Sequence, residues 1–297
     1  MFTKIKKQLR KLYKNNRKYM KLKLNKLLIL LSILVISSSV YAQRGGEIQY
    51  ASPLDPSRKP TPIYFGPAAG LNIMGHSMDI ATFQKDPTCP NFKNATGMGI
   101  YAGMTLEHLF GDVATSSSSI IFRILYNMYP GSVTISDNDY QLYNEYIDNH
   151  VPSNIDHVMK ITYNAVTFEA MYKINPVPAL GLGIVVGPAI DYIIAKNRKQ
   201  TSNITHPNNA QFDPISFDPG TAFENNQRTC VWYDGEIEDA STIRFGVKAG
   251  VQYEILLGSK LYLAPAVAYN FGITDLMNKY TWRVSPLQIV IDARFAF

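Results

Sequence analysis

Three observations predict an all-β protein, an eight-stranded antiparallel transmembrane barrel built as an up-and-down meander. Eight segments alternate apolar and polar or glycine residues with period two, each about ten residues long or longer. A transmembrane strand needs ~9–11 residues, so each segment is long enough to cross a bilayer. The connections alternate between short ones at 110–112, 175–178 and 258–259 and longer ones at about 77–96, 132–157, 198–241 and 275–282, the asymmetry of short periplasmic turns and long extracellular loops. The charged residues fall on the small, glycine-rich parity while the large apolar residues hold the other, the reverse of a soluble barrel, which is greasy within.

The basic amino terminus is set apart from all of this. Eleven Lys and Arg and no acid precede Leu27, and an apolar run then leads to Val40-Tyr41-Ala42. Small residues at 40 and 42 fit a signal peptide over 1–42, cleaved between Ala42 and Gln43. As an uncleaved anchor the run falls short of the ~20 residues a helix needs to span. Without the signal, 18 basic residues face 23 acidic ones, so the net charge is −5 rather than +6. The basic balance therefore belongs to targeting and gives no argument for a nucleic-acid partner. Residues 43–61 are polar and contain proline, and read as a periplasmic lead-in to a barrel domain over 62–297.

The strands follow in order. The first places Ile63, Phe65, Ala69, Leu71 and Ile73 on one face, and the second Met98, Ile100, Met104 and Leu106. The third carries Ile120, Phe122, Ile124 and Tyr126 outward. The fourth changes parity. Met159, Ile161 and Tyr163 give way to Val166, Phe168, Ala170 and Tyr172, which predicts a bulge near Ala165. The fifth has Leu182, Ile184, Val186 and Ile190, and the sixth Phe245, Val247, Val251 and Ile255. The seventh has Leu261, Leu263, Val267 and Phe271, and the eighth runs to the end of the chain through Ile289, Ile291, Phe295 and Phe297. An even number of strands closes without an edge, which lipid requires. Phe295 and Phe297 give an ending similar to the signal read by the outer-membrane insertion machinery. The expected surroundings are outer-membrane lipid and, during insertion, the barrel-assembly machinery.

The opposite parity gives the expected lumenal set: Glu107, Arg123, Lys160, Glu169, Lys173, Asp191, Arg244, Lys248, Glu254, Asp292 and Arg294. Both signs are present. An eight-stranded barrel is just wide enough for side chains to fill, so these charges read as lumenal salt bridges rather than a conduction path.

The sequence resembles the eight-stranded outer-membrane barrels of the outer-membrane protein A class, and in particular PorT-type "outer membrane protein beta-barrel domain" proteins. The likeness is carried by Phe65-Gly66-Pro67-Ala68-Ala69-Gly70-Leu71-Asn72, by Gly97-Met98-Gly99-Ile100-Tyr101-Ala102-Gly103, by Leu182-Gly183-Ile184-Val185-Val186-Gly187-Pro188 and by the terminal strand. It covers about residues 61–297. It implies a barrel in the bacterial outer membrane and implies no reaction.

Catalytic and metal signals are poor, and neither an enzyme nor a cofactor is expected. Gly75-His76-Ser77 lacks elbow spacing, and the five histidines show no ligand spacing. Asp137-Asn138-Asp139 opens like a calcium loop but lacks the following glycine and the distal glutamate. Cys89 and Cys230 fall in the first and third long loops. Two cysteines on one oxidising face suggest a disulfide, with two free thiols the alternative. Tyr140, Tyr143, Tyr146, Phe212, Phe217, Phe223 and Trp232 are aromatic contact candidates in the loops, where ordinary packing explains them equally well. The expected function is a non-enzymatic scaffold whose surface loops bind an extracellular or envelope partner. The alternatives are a PorT-like secretion or assembly component, a small pore and a rim enzyme acting on lipid.

Overall fold

The computed structural model describes residues 63–80, 91–110, 116–144, 149–177, 181–214, 217, 221–237, 239–257, 261–277 and 281–296. The signal peptide with its Ala42–Gln43 cleavage site, the lead-in 43–61, Cys89, Tyr146 and Phe297 lie outside the described residues. Among the described residues thirteen strands form: β1 (Ile63–Ile80), β2 (Phe92–Leu109), β3 (Ser118–Met128), β4 (Gly131–Asn144), β5 (Asn149–Val177), β6 (Leu182–His206), β7 (Ala222–Glu224), β8 (Thr229–Glu236), β9 (Ile243–Tyr253), β10 (Ile255–Leu256), β11 (Leu261–Gly272), β12 (Trp282–Val284) and β13 (Leu287–Ala296).

Eight of them close a ring. The antiparallel pairings β1–β2, β2–β3, β3–β5, β5–β6, β6–β9, β9–β11, β11–β13 and β13–β1 return to the start. The eight ring strands pair in chain order, with β4, β7, β8, β10 and β12 lying outside the ring, so the expected up-and-down meander forms. The closure of β13 onto β1 pairs Phe65 with Phe295 and Ile73 with Leu287. No strand of the ring is left as an edge.

The outer face of the ring is apolar on every strand. Leu71, Ile100, Ile124, Phe168, Ile184, Phe245, Val267 and Ile289 are all exposed. The next inward position is polar and buried. Ile124 is 56 % exposed while Arg123 is 3 % exposed, and Ile291 is 52 % exposed while Asp292 is fully buried. Aromatic residues mark the belt's margins. Phe110 and Tyr172 meet at 6.2 Å near the short turns. At the other margin Tyr126, Val166 and Tyr192 stand in one row across three strands. An exposed apolar wall around a charged interior is stable only where lipid replaces water outside.

Above the belt the chain does something the sequence analysis did not expect. The stretches taken as long loops, 132–157 and 198–241, carry β4, the start of β5, the end of β6, β7 and β8. β5 has 29 residues, nearly three times what the bilayer needs. It pairs with β4 on one side and with the upper half of β6 on the other. β8 replaces β9 as the neighbour of β6 over Asn197–Asn203, and β7 pairs with β8. Together they raise one side of the barrel wall clear of the membrane.

The expected bulge near Ala165 is also corrected. β5 keeps one alternation from Ile155 to Asn175, with Met159, Ile161, Tyr163, Ala165, Thr167 and Glu169 all buried inward. The change of pattern in the sequence marks the margin of the bilayer. Below it the inward residues are polar and the outward ones greasy, and above it water outside reverses the preference. The irregularity at this level lies on the partner strand. Asn164 pairs with Ala195 and Ala165 with Ile193, so Ile194 is the extra residue, on β6. Lys160 is therefore not lumenal. It stands exposed on the outer face of the raised wall, opposite Ser132 and Lys199.

Candidate functional site

The lumen is filled at three levels. Nearest the short turns, Lys173 on β5 forms ion pairs with both Glu107 on β2 and Glu254. Glu107 also accepts from Ser119 Oγ at 2.5 Å and pairs with Arg294 on β13. Arg294 Nη2 reaches Asp292 at 2.6 Å. Asp292 takes Arg123 Nη2 at 2.6 Å, and Arg123 Nη1 lies 3.4 Å from Glu169. Glu169 accepts from Lys248 Nζ at 2.7 Å. One connected lattice thus runs from Glu254 to Lys248 through eight ionised side chains of alternating sign. Arg123 stands directly across the ladder from Glu169, so strand register builds part of the lattice. Ions this buried are tolerable only when each finds opposite charge and hydrogen bonds.

The middle level is a polar belt with one further ion pair. Arg244 and Asp191 face each other across β9 and β6 and are paired. Asp191 accepts from Thr167 Oγ1 at 2.5 Å, and Thr167 accepts from Asn127 Nδ2 at 2.7 Å. Asn72 Nδ2 donates to Asn127 Oδ1 at 3.1 Å, and Gln288 Nε2 donates to Asn72 Oδ1 at 2.7 Å. Ten of the eleven residues expected in the lumen are there, five cations and five anions, with Lys160 the exception. Glycine makes room for the larger inward groups. A Cβ on Gly70 would lie 2.6 Å from the Tyr101 hydroxyl, and one on Gly246 would lie 2.3 Å from Asn270 Oδ1.

The third level is apolar. Met74, Met78, Phe92, Met159, Ile161, Tyr163, Trp282 and Val284 are buried in one cluster at the loop end of the barrel. Two loop segments fold over it and add Ile237, Ala240, Leu276 and Met277. They are tied down by backbone bonds from Ile237 N to Lys196 O and from Leu276 N to Trp282 O, both 2.7 Å. Trp282 Nε1 donates to His76 Nδ1 at 3.3 Å, and His76 Nε2 lies 3.2 Å from Pro130 O. Indole only donates and carbonyl oxygen only accepts, so these bonds select the neutral imidazole protonated on Nε2. Sequence reasoning left Trp282 in a connecting loop and so missed it as the centre of this plug.

The raised wall has its own core. Leu142, Ile155, Ile204, Phe212 and Cys230 are buried together, with Tyr140, Phe217, Phe223 and Trp232 packed against them. Of the aromatic contact candidates, Phe212 is thus buried in the wall, and Tyr140, Phe217, Phe223 and Trp232 are half-buried against its core, at ring distances such as 5.4 Å for Phe217–Phe223. The side chain of Tyr143 lies outside the described residues. Cys230 sits in β8 and is fully buried, rather than displayed in a loop. His157 Nδ1 lies 2.8 Å from Ser202 Oγ, which also accepts from Trp232 Nε1 at 2.7 Å. Both His157 and Ser202 are 2 % exposed, so this contact joins neighbouring strands inside the wall. On the outer face Lys199 bridges Glu224 at 2.7 Å and Asp234 at 3.3 Å. The hydrogen bond that Lys199 donates to Glu224 leads in holding its ammonium pKa above the ordinary lysine value. Among the described residues no group of three His, Cys, Asp or Glu side chains is placed to hold a metal ion.

No family model matches the chain. No curated protein matches it either. Solved structures similar to it include Neisserial surface protein A, at 11 % identity and a TM-score of 0.35, covering 81 % of this chain and 100 % of that one. Ail, the attachment invasion locus protein of Yersinia pestis, solved with a heparin analogue, is similar at 10 % identity and a TM-score of 0.30, covering 78 % and 99 %. The outer membrane protein OprG from Pseudomonas aeruginosa is similar at 10 % identity and a TM-score of 0.33, covering 80 % and 97 %. Likenesses this distant add nothing to what the ring itself shows. An eight-stranded closed sheet, apolar all round outside and charged within, is an integral β-barrel of the bacterial outer membrane.

Proposed function

We propose that the protein is a non-enzymatic scaffold that holds its raised wall of strands above the membrane for an extracellular or envelope partner. The observation that carries this reading is the contrast between a lumen filled at every level and a wall extended far past the bilayer. Filling the lumen serves rigidity, and a rigid frame suits recognition by what it displays. The displayed face is polar and carries Ser132, Thr134, Ser136, Lys160 and Lys199 outward from β4, β5 and β6. A PorT-like role in secretion or assembly would use the same surface, with a partner from the envelope rather than the medium.

The test is photo-crosslinking in intact cells. A photoreactive residue placed at Thr134 or Lys160 should capture a discrete protein partner, whereas one placed at lipid-facing Ile291 should not. Crosslinks to lipid alone from all three positions would contradict the scaffold reading.

A bridge between Cys89 and Cys230 is part of the same proposal. It would tie the first long connection to the core of the wall through β8. A disulfide contributes ~2–4 kcal/mol in typical cases. The ladder bonds of the barrel do not depend on it, so reduction should increase protease cleavage of the wall and leave the belt intact. Mass spectrometry of non-reduced peptides should show 89 linked to 230, and two unlinked thiols in the native membrane would rule the bridge out.

A further inference from the structure

The terminal strand has no tight turn to fix its register. Residues 273–286 separate β13 from β11, and its other neighbour, β1, lies at the opposite end of the chain. In a hairpin the turn sets the register, and β13 has a tight turn on neither side. The alternation of greasy and polar residues sets parity and no more. A slip of β13 by one residue would turn Asp292 toward lipid, but a slip by two would keep Ile291, Ala293 and Phe295 on the outer face. Parity therefore does not choose between the observed register, with Ala69 opposite Ile291, and one shifted by two.

The ion lattice does choose. The strands other than β13 bring two groups of ions into the lumen. Nearest the short turns, Glu107 and Glu254 share Lys173, two anions for one cation. Farther in, Arg123 and Lys248 share Glu169, two cations for one anion. β13 gives each group the sign it is short of. Arg294 pairs with Glu107 of the first group, and Asp292 accepts from Arg123 Nη2 of the second at 2.6 Å. Arg294 and Asp292 also meet each other at 2.6 Å, which joins the two groups. All eight side chains are buried. Sliding β13 by two residues in one direction carries Arg294 to the place where Asp292 meets Arg123. Sliding it in the other carries Asp292 to the place where Arg294 meets Glu107. Either shift sets like charges together and leaves the other group with its surplus, where an uncompensated ion is heavily penalised.

We infer that Asp292 and Arg294 select the register in which the terminal strand closes the barrel. The lumen of the unclosed sheet is then a recognition surface for the chain's own last strand. Its pattern, negative toward the short turns and positive farther in, fits a strand that carries an anion and a cation two residues apart in that order. Fixing register is the best-attested use of buried polar groups. β12 continues the same register beyond the belt, where His76 stands opposite Val284, but it carries no ion of the lattice.

Disulfide trapping in refolded protein tests this, with Cys89→Ala and Cys230→Ala in every variant. Ala69→Cys with Ile291→Cys reports the observed register. Ala69→Cys with Ala293→Cys, or with Ile289→Cys, reports a shift of two. Opposed Cα atoms about 4.5–5.5 Å apart are within disulfide reach, and positions two residues along are not. With the native lattice only the first reporter should form its bond. In the charge-swapped variant, Asp292→Arg with Arg294→Asp, that bond should fall at least fivefold. Adding Glu107→Arg and Arg123→Glu reverses both groups and should restore it to within twofold of the native level.

A neutral variant guards against simple misfolding. Asp292→Asn with Arg294→Gln removes the choice without introducing repulsion, so the native and shifted reporters should form bonds in comparable amounts. Trapping in the native register alone, from either the swapped or the neutral variant, would overturn the inference and leave β12 or the strand pairing itself as the element that sets register.

Discussion

Replacing Arg123 with methionine is expected to cost about 3–5 kcal/mol of stability, the usual penalty for removing one partner of a buried ion pair. The guanidinium serves three acceptors at once. It reaches Asp292 at 2.6 Å, Glu169 at 3.4 Å and, through Nε, Thr105 Oγ1 at 3.2 Å. Both carboxylates are fully buried as side chains, so the charge left behind has no water to turn to. A second substitution should recover part of the loss. With Asp292→Asn added, Arg294 keeps Glu107, Lys248 keeps Glu169, and Lys173 keeps Glu107 and Glu254. The double variant should then be more stable than Arg123→Met alone, a non-additivity expected of groups in one network. Reversible urea unfolding in lipid vesicles measures both. Additive losses would mean that the lattice is a set of independent contacts.

The second large effect falls on the opposite face. Ile291 is 52 % exposed in the middle of β13, and its neighbour Asp292 is fully buried. Ile291→Arg is expected to cost ~2–4 kcal/mol because it puts a charge against the centre of the bilayer. The same change at Ile273, exposed at the loop-end margin of the belt, should cost only ~0–1 kcal/mol, because the guanidinium can reach the interface. The ratio of the two values in one unfolding series measures depth. Equal costs would place both residues in the same surroundings and would leave the belt without its lipid.

Most of the barrel was legible in the sequence because lipid imposes one rule on every strand. Where Ile124 alternates with Arg123, or Phe245 with Arg244, the parity alone says which side chain meets lipid. Ten of the eleven expected lumenal charges followed from it. The rule failed at Lys160 because β5 leaves the membrane between Tyr163 and Val166. Above that point water lies outside, so Met159 and Ile161 turn inward and Lys160 turns out. A sequence shows the reversal of pattern but does not say whether an extra residue or a change of solvent caused it. The ladder distinguishes them, since β5 keeps one alternation and the extra residue is Ile194 on β6.

The raised wall was hidden for a related reason. Polar strands in water, such as Ser132 to Ser136, carry a composition that also suits loops, and only pairing with β5 distinguishes them. The aromatic residues of 212–232, each taken alone, suit a contact surface and ordinary packing equally well. Their mutual packing against Cys230 and Ile204 depends on β6 and β8 lying side by side, which no local pattern shows. The plug shares this property, because Trp282 reaches Met159 and Phe92 only through closure of the ring.

The central claim is that the apolar face of the ring meets lipid while the charged face fills the interior. Vesicles made with lipids that carry a photoactivatable group at the end of the acyl chain test it directly. After irradiation, mass spectrometry should find the label on outward residues of all eight ring strands, Ile124, Phe245, Val251 and Ile291 among them. Arg123, Glu169, Arg244 and Lys248 should carry none. Label spread over both parities, or recovery of the protein in the soluble fraction without detergent, would contradict the barrel as a membrane protein.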